Sequence, residues 1–341
     1  MSLGLILLTA VNAVMPIILL ILLGYLLKRA GFLTKEFLKI GNKLVFNVCL
    51  PCMLFVNVYE IDSFSSINWD IVIYCVLMLH ILFVLGLATA VATTRVPERR
   101  GVILQCTFRS NFAIIGLSLA GALGGEEAVS VAAIVSAFTV PAFNILAVIA
   151  LSMFMGEKGG KSSVKRVLLN IVKNPLIISV ALGLVSLVLR SLQESLFGTV
   201  IFRLDTNFKF FYRAVDNLKS IASPFALLVL GGQFEFSAVR GLMKEIVVST
   251  VWRIIIAPLL GIGCAILLSA NTGLLSCGVN EYPALVAMFG SPVAVSSAIM
   301  AGSMKNDEQL ATQLVVWTSL LSIVTIFITV CLLMGMGLIA V

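Results

Sequence analysis

The chain has 341 residues, 60% of them hydrophobic and only 11% charged. With a mean hydropathy of +1.12 it cannot present a soluble surface, since ordinary globular domains carry about 25% charged residues. This excludes a cytosolic enzyme, a disordered protein, a nucleic-acid binder and a disulfide scaffold, and at about 20 residues per span it leaves room for about ten membrane helices.

Apolar runs bounded by charge or turn residues fall at 5–27, 36–58, 70–94, 101–121, 127–155, 174–190, 218–236, 245–269, 282–303 and 310–338. The first run lacks a basic leader and a small-residue cleavage site, so it reads as a retained helix. Lys and Arg alternate between the loops. Lys28 to Lys43, Arg95 to Arg100, Lys158 to Lys173, Arg240 with Lys244, and Lys305 share one side. Arg190, Arg203, Lys209, Arg213 and Lys219 lie on the other. The positive-inside rule makes the richer side cytoplasmic. The formal charge of +7 is thus a topology signal, and both termini are expected outside the cytoplasm, in the plasma membrane. Within the poorer side, Phe197, Ile201, Leu204, Phe208, Phe211 and Val215 recur at three- and four-residue steps. That pattern predicts an interfacial amphipathic helix over about 195–217.

The two halves repeat. Pro16 and Gly24 in the first span answer to Pro175 and Gly183 in the sixth; Pro51 and Leu54 in the second answer to Pro224 and Leu227 in the seventh. Asp70, Gly86 and Ala90 correspond to Glu245, Gly261 and Ala265, and Phe108, Ser110, Ala120 and Gly121 to Phe289, Ser291, Ala301 and Gly302. Because each half holds an odd number of spans, the second enters the membrane from the opposite side. The predicted fold is therefore an all-α polytopic membrane protein of ten transmembrane helices in two inverted five-helix repeats. Residues 1–155 form the first repeat, 156–170 a short basic cytoplasmic loop and 171–341 the second repeat.

Spans 4 and 9 carry helix-breaking residues at equivalent places: Gln105, Arg109, Ser110 and Asn111 in one, Gly290, Ser291 and Pro292 in the other. Proline removes a backbone donor and clashes with the preceding turn, and a break inside hydrocarbon persists only where it is buried or lines a cavity. Helices 4 and 9 are accordingly expected to be broken and to cross at the bilayer centre. The half-helix ends would offer N–H groups to anions and carbonyls to cations.

The intramembrane polar residues supply the candidate site. An arginine at mid-membrane costs about 2.5–3.5 kcal/mol on insertion scales and so calls for a reason. Arg109 beside the span 4 break, and Arg253 at similar depth in span 8, could each grip a carboxylate with a planar fork, snorkel to the interface or cap broken backbone. Asn111 can both donate and accept. The candidate substrate-binding residues are Arg109, Ser110, Asn111, Ser291, Pro292 and Arg253, with Asn47, Asn57, Asn144 and Gln313 weaker because amides also bind helices together.

Absences narrow the chemistry. No Asp or Glu lies well inside a span, which disfavours a proton–sodium exchanger, and His80 stands alone as the single histidine. The seven cysteines include Cys49-Leu-Pro-Cys52, but without a second pair or a histidine cluster they read as small buried residues. No phosphate loop, dinucleotide fingerprint or nucleophile motif is present. Neither cofactor, metal, nor enzymatic activity is expected.

The chain resembles the auxin efflux carrier family, which includes the plant PIN-formed auxin exporters and bacterial malonate and malate permease-like proteins. The resemblance rests on Leu44-Val-Phe-Asn-Val-Cys-Leu-Pro51, Asn111 with Gly116, Asn174-Pro175, Ser223-Pro224 followed by Leu230-Gly231, and Pro292. It implies two inverted five-helix repeats, a scaffold and a transport subdomain, a substrate site at the crossing with Asn111 and Pro292 as its asparagine and proline, and elevator-type alternating access. Ser118 stands where the family often has a proline, and the long hydrophilic domain of many plant members is missing between spans 5 and 6.

The expected function is secondary transport of a small organic anion, such as a dicarboxylate or an auxin-like acid. The rivals are a sodium-coupled organic-anion symporter of the bile-acid type and a non-transporting membrane sensor. The expected partners are the anion and the lipid bilayer, with no nucleic acid, and a homodimer is one of the assemblies the sequence leaves open.

Overall fold

The computed structural model describes residues 3–60, 68–155, 173–235, 237–273 and 275–339; the basic loop expected at 156–170 lies outside them. All regular structure among these residues is helical. The first half comprises α1 (Leu3–Arg29), α2 (Lys35–Leu44), α3 (Leu50–Tyr59), α4 (Trp69–Thr93), α5 (Pro97–Phe108) and α6 (Leu117–Met153). The second comprises α7 (Pro175–Phe197), α8 (Leu204–Asn207), α9 (Lys209–Gln233), α10 (Ala238–Val251), α11 (Ala257–Asn271), α12 (Glu281–Leu285), α13 (Ser296–Ser303) and α14 (Glu308–Gly335). Single wide π turns join α2 to α3, α10 to α11, and lead into α6 and out of α12.

Local chemistry sets many of these boundaries. Thr34, Asn174 and Asp307 each accept a hydrogen bond from a backbone N–H of the turn they open, and Pro97 and Pro175 occupy first-turn positions where no N–H is needed. α6 is two helices meeting at Gly125, whose φ of 68° and ψ of −159° only glycine adopts without strain. That turn divides the runs predicted at 101–121 and 127–155.

Seven helices among the described residues are long and apolar enough to cross a membrane: Lys35–Tyr59, Trp69–Thr93, Leu119–Met153, Pro175–Phe197, Lys209–Gln233, Ala238–Asn271 and Glu308–Gly335. α1, α5 and the interrupted pair α12/α13 accompany them. Their outer faces are apolar. Ile73, Leu77, Ile81 and Val84 on α4, and Leu182, Val185, Leu189 and Leu192 on α7, are all exposed at helical spacing, a surface suited to lipid rather than water.

Small residues let the backbones approach closely. α1 and α9 meet through reciprocal glycines: a Cβ on Gly24 would strike the Leu228 carbonyl, and one on Gly231 would strike that of Ile21. α3 and α7 meet at Gly183, where a Cβ would lie 2.8 Å from Val58 Cβ and 3.2 Å from the Phe55 carbonyl oxygen.

One predicted element is divided differently. The periodic stretch at 195–217 is not a single helix: α7 runs on to Phe197, Gly198 closes it in a left-handed turn, and Lys209 already begins α9, which contains most of the run predicted at 218–236. Between them Arg203 chelates Asp205 at 2.9 and 3.0 Å, and Tyr59 donates to Asp205 at 3.0 Å. The local ion pair and turn break the helix, yet Phe197, Ile201, Phe208 and Phe211 remain exposed.

Candidate functional site

The two interrupted pairs meet at their breaks. α5 ends at Arg109, whose backbone is extended (φ −87°, ψ 109°), and helical structure restarts after Asn111. On the other side, the π turn Val286–Gly290 ends at Ser291, also extended (φ −63°, ψ 147°), and α13 begins at Ser296. Ser110 pairs antiparallel with Val293, and the Asn111 N–H donates to the Pro292 carbonyl at 2.8 Å. The crossing is thus a one-bridge ladder between two extended segments. Val293 N–H is held by the Thr318 hydroxyl at 3.1 Å, and Gln105 Nε2 donates to the Ser297 carbonyl at 3.0 Å.

Four of the six candidate residues make the crossing itself: Ser110, Asn111, Ser291 and Pro292. Arg109 is 2% exposed and turns into a cavity beside it. Its Nη2 donates to Asn144 Oδ1 and to Ser296 Oγ, both at 2.8 Å, and Nη1 lies against Met300 Sδ. Among the described residues no carboxylate pairs with it. Asn111 Nδ2 and Ser110 Oγ are buried with no hydrogen-bond partner among the described residues, and both residues line the same cavity.

Asn144, Ser223 and Ser296 also line the cavity, with Met53, Phe143 and Leu176 as its apolar wall. Of these, Asn144 was a weaker site candidate in the sequence and Ser223 appeared only in a family motif; a serine in an apolar helix carries no signal that separates a site from interhelical glue. Ala294, Val295 and Ser296 bring the opening turn of α13 to the cavity, where the Ser297 and Ala298 N–H groups donate to the Ala294 and Val295 carbonyls at 2.9 and 3.2 Å. The free volume is about 40 Å³, room for a water molecule or two.

Arg253 is brought to the crossing but not to the cavity. Completely buried, it reaches from the π turn Trp252–Ile256 and donates through Nε to the Ser291 carbonyl at 3.0 Å and through Nη2 to those of Phe289 at 2.6 Å and Met288 at 3.2 Å. These carbonyls lie at the end of the broken helix, and Pro292 has no N–H to offer Met288 in the usual fourth-residue bond. Of the remaining candidates, Gln313 donates to the Glu235 carbonyl at 2.7 Å and Asn47 to that of Lys43 at 2.8 Å. His80 bonds Val76 of its own helix at 2.7 Å.

At the basic loops a second polar cluster joins three helices. Arg99 bridges Glu245 at 2.9 Å and Asp307 at 3.0 Å, and the Asp307 N–H donates to the Glu98 carbonyl at 3.1 Å. This ties α5 to α10 and to the start of α14.

Comparison with known proteins agrees with these features. The profile of a family described as membrane transport protein matches residues 9–330. An uncharacterized transporter of Methanocaldococcus jannaschii is 24% identical over 251 residues, covering 72% of this chain and 76% of its own. Another, from Methanothermobacter thermautotrophicus, is 23% identical over 322 residues, covering 92% and 95%. A chain with apolar outer faces, buried broken helices and this match along nearly its whole length is an integral membrane protein, and it belongs to the membrane transport protein family of the auxin efflux carriers.

Proposed function

We propose that this protein is a secondary transporter of a small organic anion, a carboxylate, which binds at the helix crossing and is carried across the plasma membrane by elevator-type alternating access. The observation that carries this reading is Arg109: a buried guanidinium with no carboxylate partner among the described residues, facing a cavity beside a helix N-terminus. An uncompensated buried charge is costly, and a ligand carboxylate would relieve it while accepting a planar, two-pronged contact. Asn111 Nδ2 and Ser110 Oγ add polar groups without partners among the described residues and no competing negative charge. At about 40 Å³ the cavity is too small for a dicarboxylate, so loading requires the walls contributed by α3 and α9 to draw back from the crossing. Relative sliding of that kind is what an elevator performs.

Packing supports the inverted ten-span layout. Gly24 and Gly183 hold equivalent places in the two halves, as do Leu228 and Phe55. Gly24 abuts Leu228 and Gly183 abuts Phe55, so each half's first span packs on the other half's second. Such an exchange is expected of two copies related by a twofold axis in the membrane plane.

The test is a thermal-unfolding screen of the purified protein against mono- and dicarboxylates, with and without sodium and at two pH values. A carboxylate that raises the midpoint in the wild type and not in Arg109→Ala supports the reading. Stabilisation by neutral or cationic compounds alone would refute it.

A further inference from the structure

The broken ninth-span helix has two ends, and the cavity uses only one. α13 brings its opening turn to the cavity, whereas the segment before the break ends in carbonyls that point elsewhere. Pro292 cannot bond Met288, and the N–H of Val293, which would serve Phe289, is taken by Thr318. Three oxygens, of Met288, Phe289 and Ser291, are thereby left at the negative end of a half-helix inside the protein. All three converge on the Arg253 guanidinium. Among the described residues no carboxylate pairs with Arg253, and its Nη1 has no partner. One turn earlier on the same face, Ser249 and Thr250 bring hydroxyl oxygens that are also buried without partners among the described residues.

Carbonyls of an unwound segment at a half-helix C-terminus are the ligands with which broken-helix transporters coordinate a coupling cation. We propose that Arg253 is a tethered cation: its guanidinium fills a monovalent-cation site formed by the carbonyls of Met288, Phe289 and Ser291, with Ser249 and Thr250 at its edge. The charge that an ion would bring on each cycle is here built into the eighth span. Removing the guanidinium should leave a vacant oxygen cage that recruits a small cation from solution. This assignment is independent of which solute the cavity takes, so it can fail while the transport reading stands, and the reverse.

The experiment measures thermal unfolding of the full chain in detergent without any organic anion, in choline chloride and in sodium, lithium or low-millimolar guanidinium chloride at equal ionic strength. Wild type should unfold at the same temperature in each. Arg253→Ala should unfold several degrees lower in choline and recover in a saturable way with sodium, lithium or guanidinium, as binding to the folded state demands. Arg253→Lys should stay folded and indifferent to the cation, because its charge remains attached. Equal stabilisation of the wild type by sodium, or a folded Arg253→Ala that no cation stabilises, would overturn the proposal. Should Arg253→Ala not fold, Arg253→Gln is read by the same criteria. If neither neutral variant folds, Arg253→Lys decides: a folded lysine variant upholds the need for a charge, and an unfolded one rejects it.

Discussion

Arg109 and Arg253 are the same residue type at similar depth, and their neighbours separate them. Arg253 spends donors on three backbone carbonyls, whereas among the described residues Arg109 is held by neutral side chains, Asn144, Ser296 and Met300. Both residues were legible in the sequence as charges needing a reason. Their division of labour was not, because it depends on which carbonyls Pro292 strands and where α11 and α12 bring them in space. At this scale we predict that Arg109→Lys, which keeps the charge but loses the fork, weakens carboxylate binding by roughly tenfold to a hundredfold, the range expected for a charge-assisted hydrogen bond of about 1.5–3 kcal/mol. The check is the carboxylate concentration that gives half-maximal stabilisation. Asn111→Asp places an acceptor where the unpartnered donor Nδ2 now faces the cavity, and should eliminate that stabilisation altogether.

Elements show where local pattern sufficed and where it did not. The breaks at Ser110 and Pro292 were readable because polar and helix-breaking residues interrupt long apolar runs at equivalent places, and the structure joins them by the Ser110 and Val293 bridge. The stretch 195–217 has sound helical periodicity, yet Gly198 and the Arg203 with Asp205 pair divide it, a competition that periodicity does not register. Arg203 beside Asp205, together with the Tyr59 hydroxyl, holds that carboxyl below its ordinary range. A depressed carboxylate pKa contributes stability above the unfolded value of about 3.9, and that contribution is lost as pH falls through the lower folded value. Asp205→Asn should therefore lower the unfolding midpoint in the neutral range and flatten its fall below about pH 4, where the variant and the wild type converge. Gly125→Ala meets no steric obstacle, so its cost is backbone strain alone, about 1–3 kcal/mol, read as a lowered midpoint with carboxylate binding retained.

Across the whole molecule, a transporter must keep some contacts tight and let others slide. The reciprocal glycines of α1 and α9 bring two backbones together where even a methyl group does not fit, which suits a fixed frame. Gly24→Ala and Gly231→Ala should each overpack that contact, at a cost of about 1–3 kcal/mol, and lower the unfolding midpoint. The apolar helices were readable from hydropathy, and seven of them among the described residues are long and apolar enough to cross a membrane. The exchange of partners between halves was not readable, since it is a property of packing between distant segments. The central claim is that an organic anion is held at the crossing by Arg109 and Asn111, and flux tests it most directly. Proteoliposomes should take up a labelled carboxylate identified by the stability screen when they hold the wild type, and fail to do so with the Arg109→Ala, Asn111→Ala double variant, purified as a folded protein. Undiminished uptake by the double variant would contradict the account.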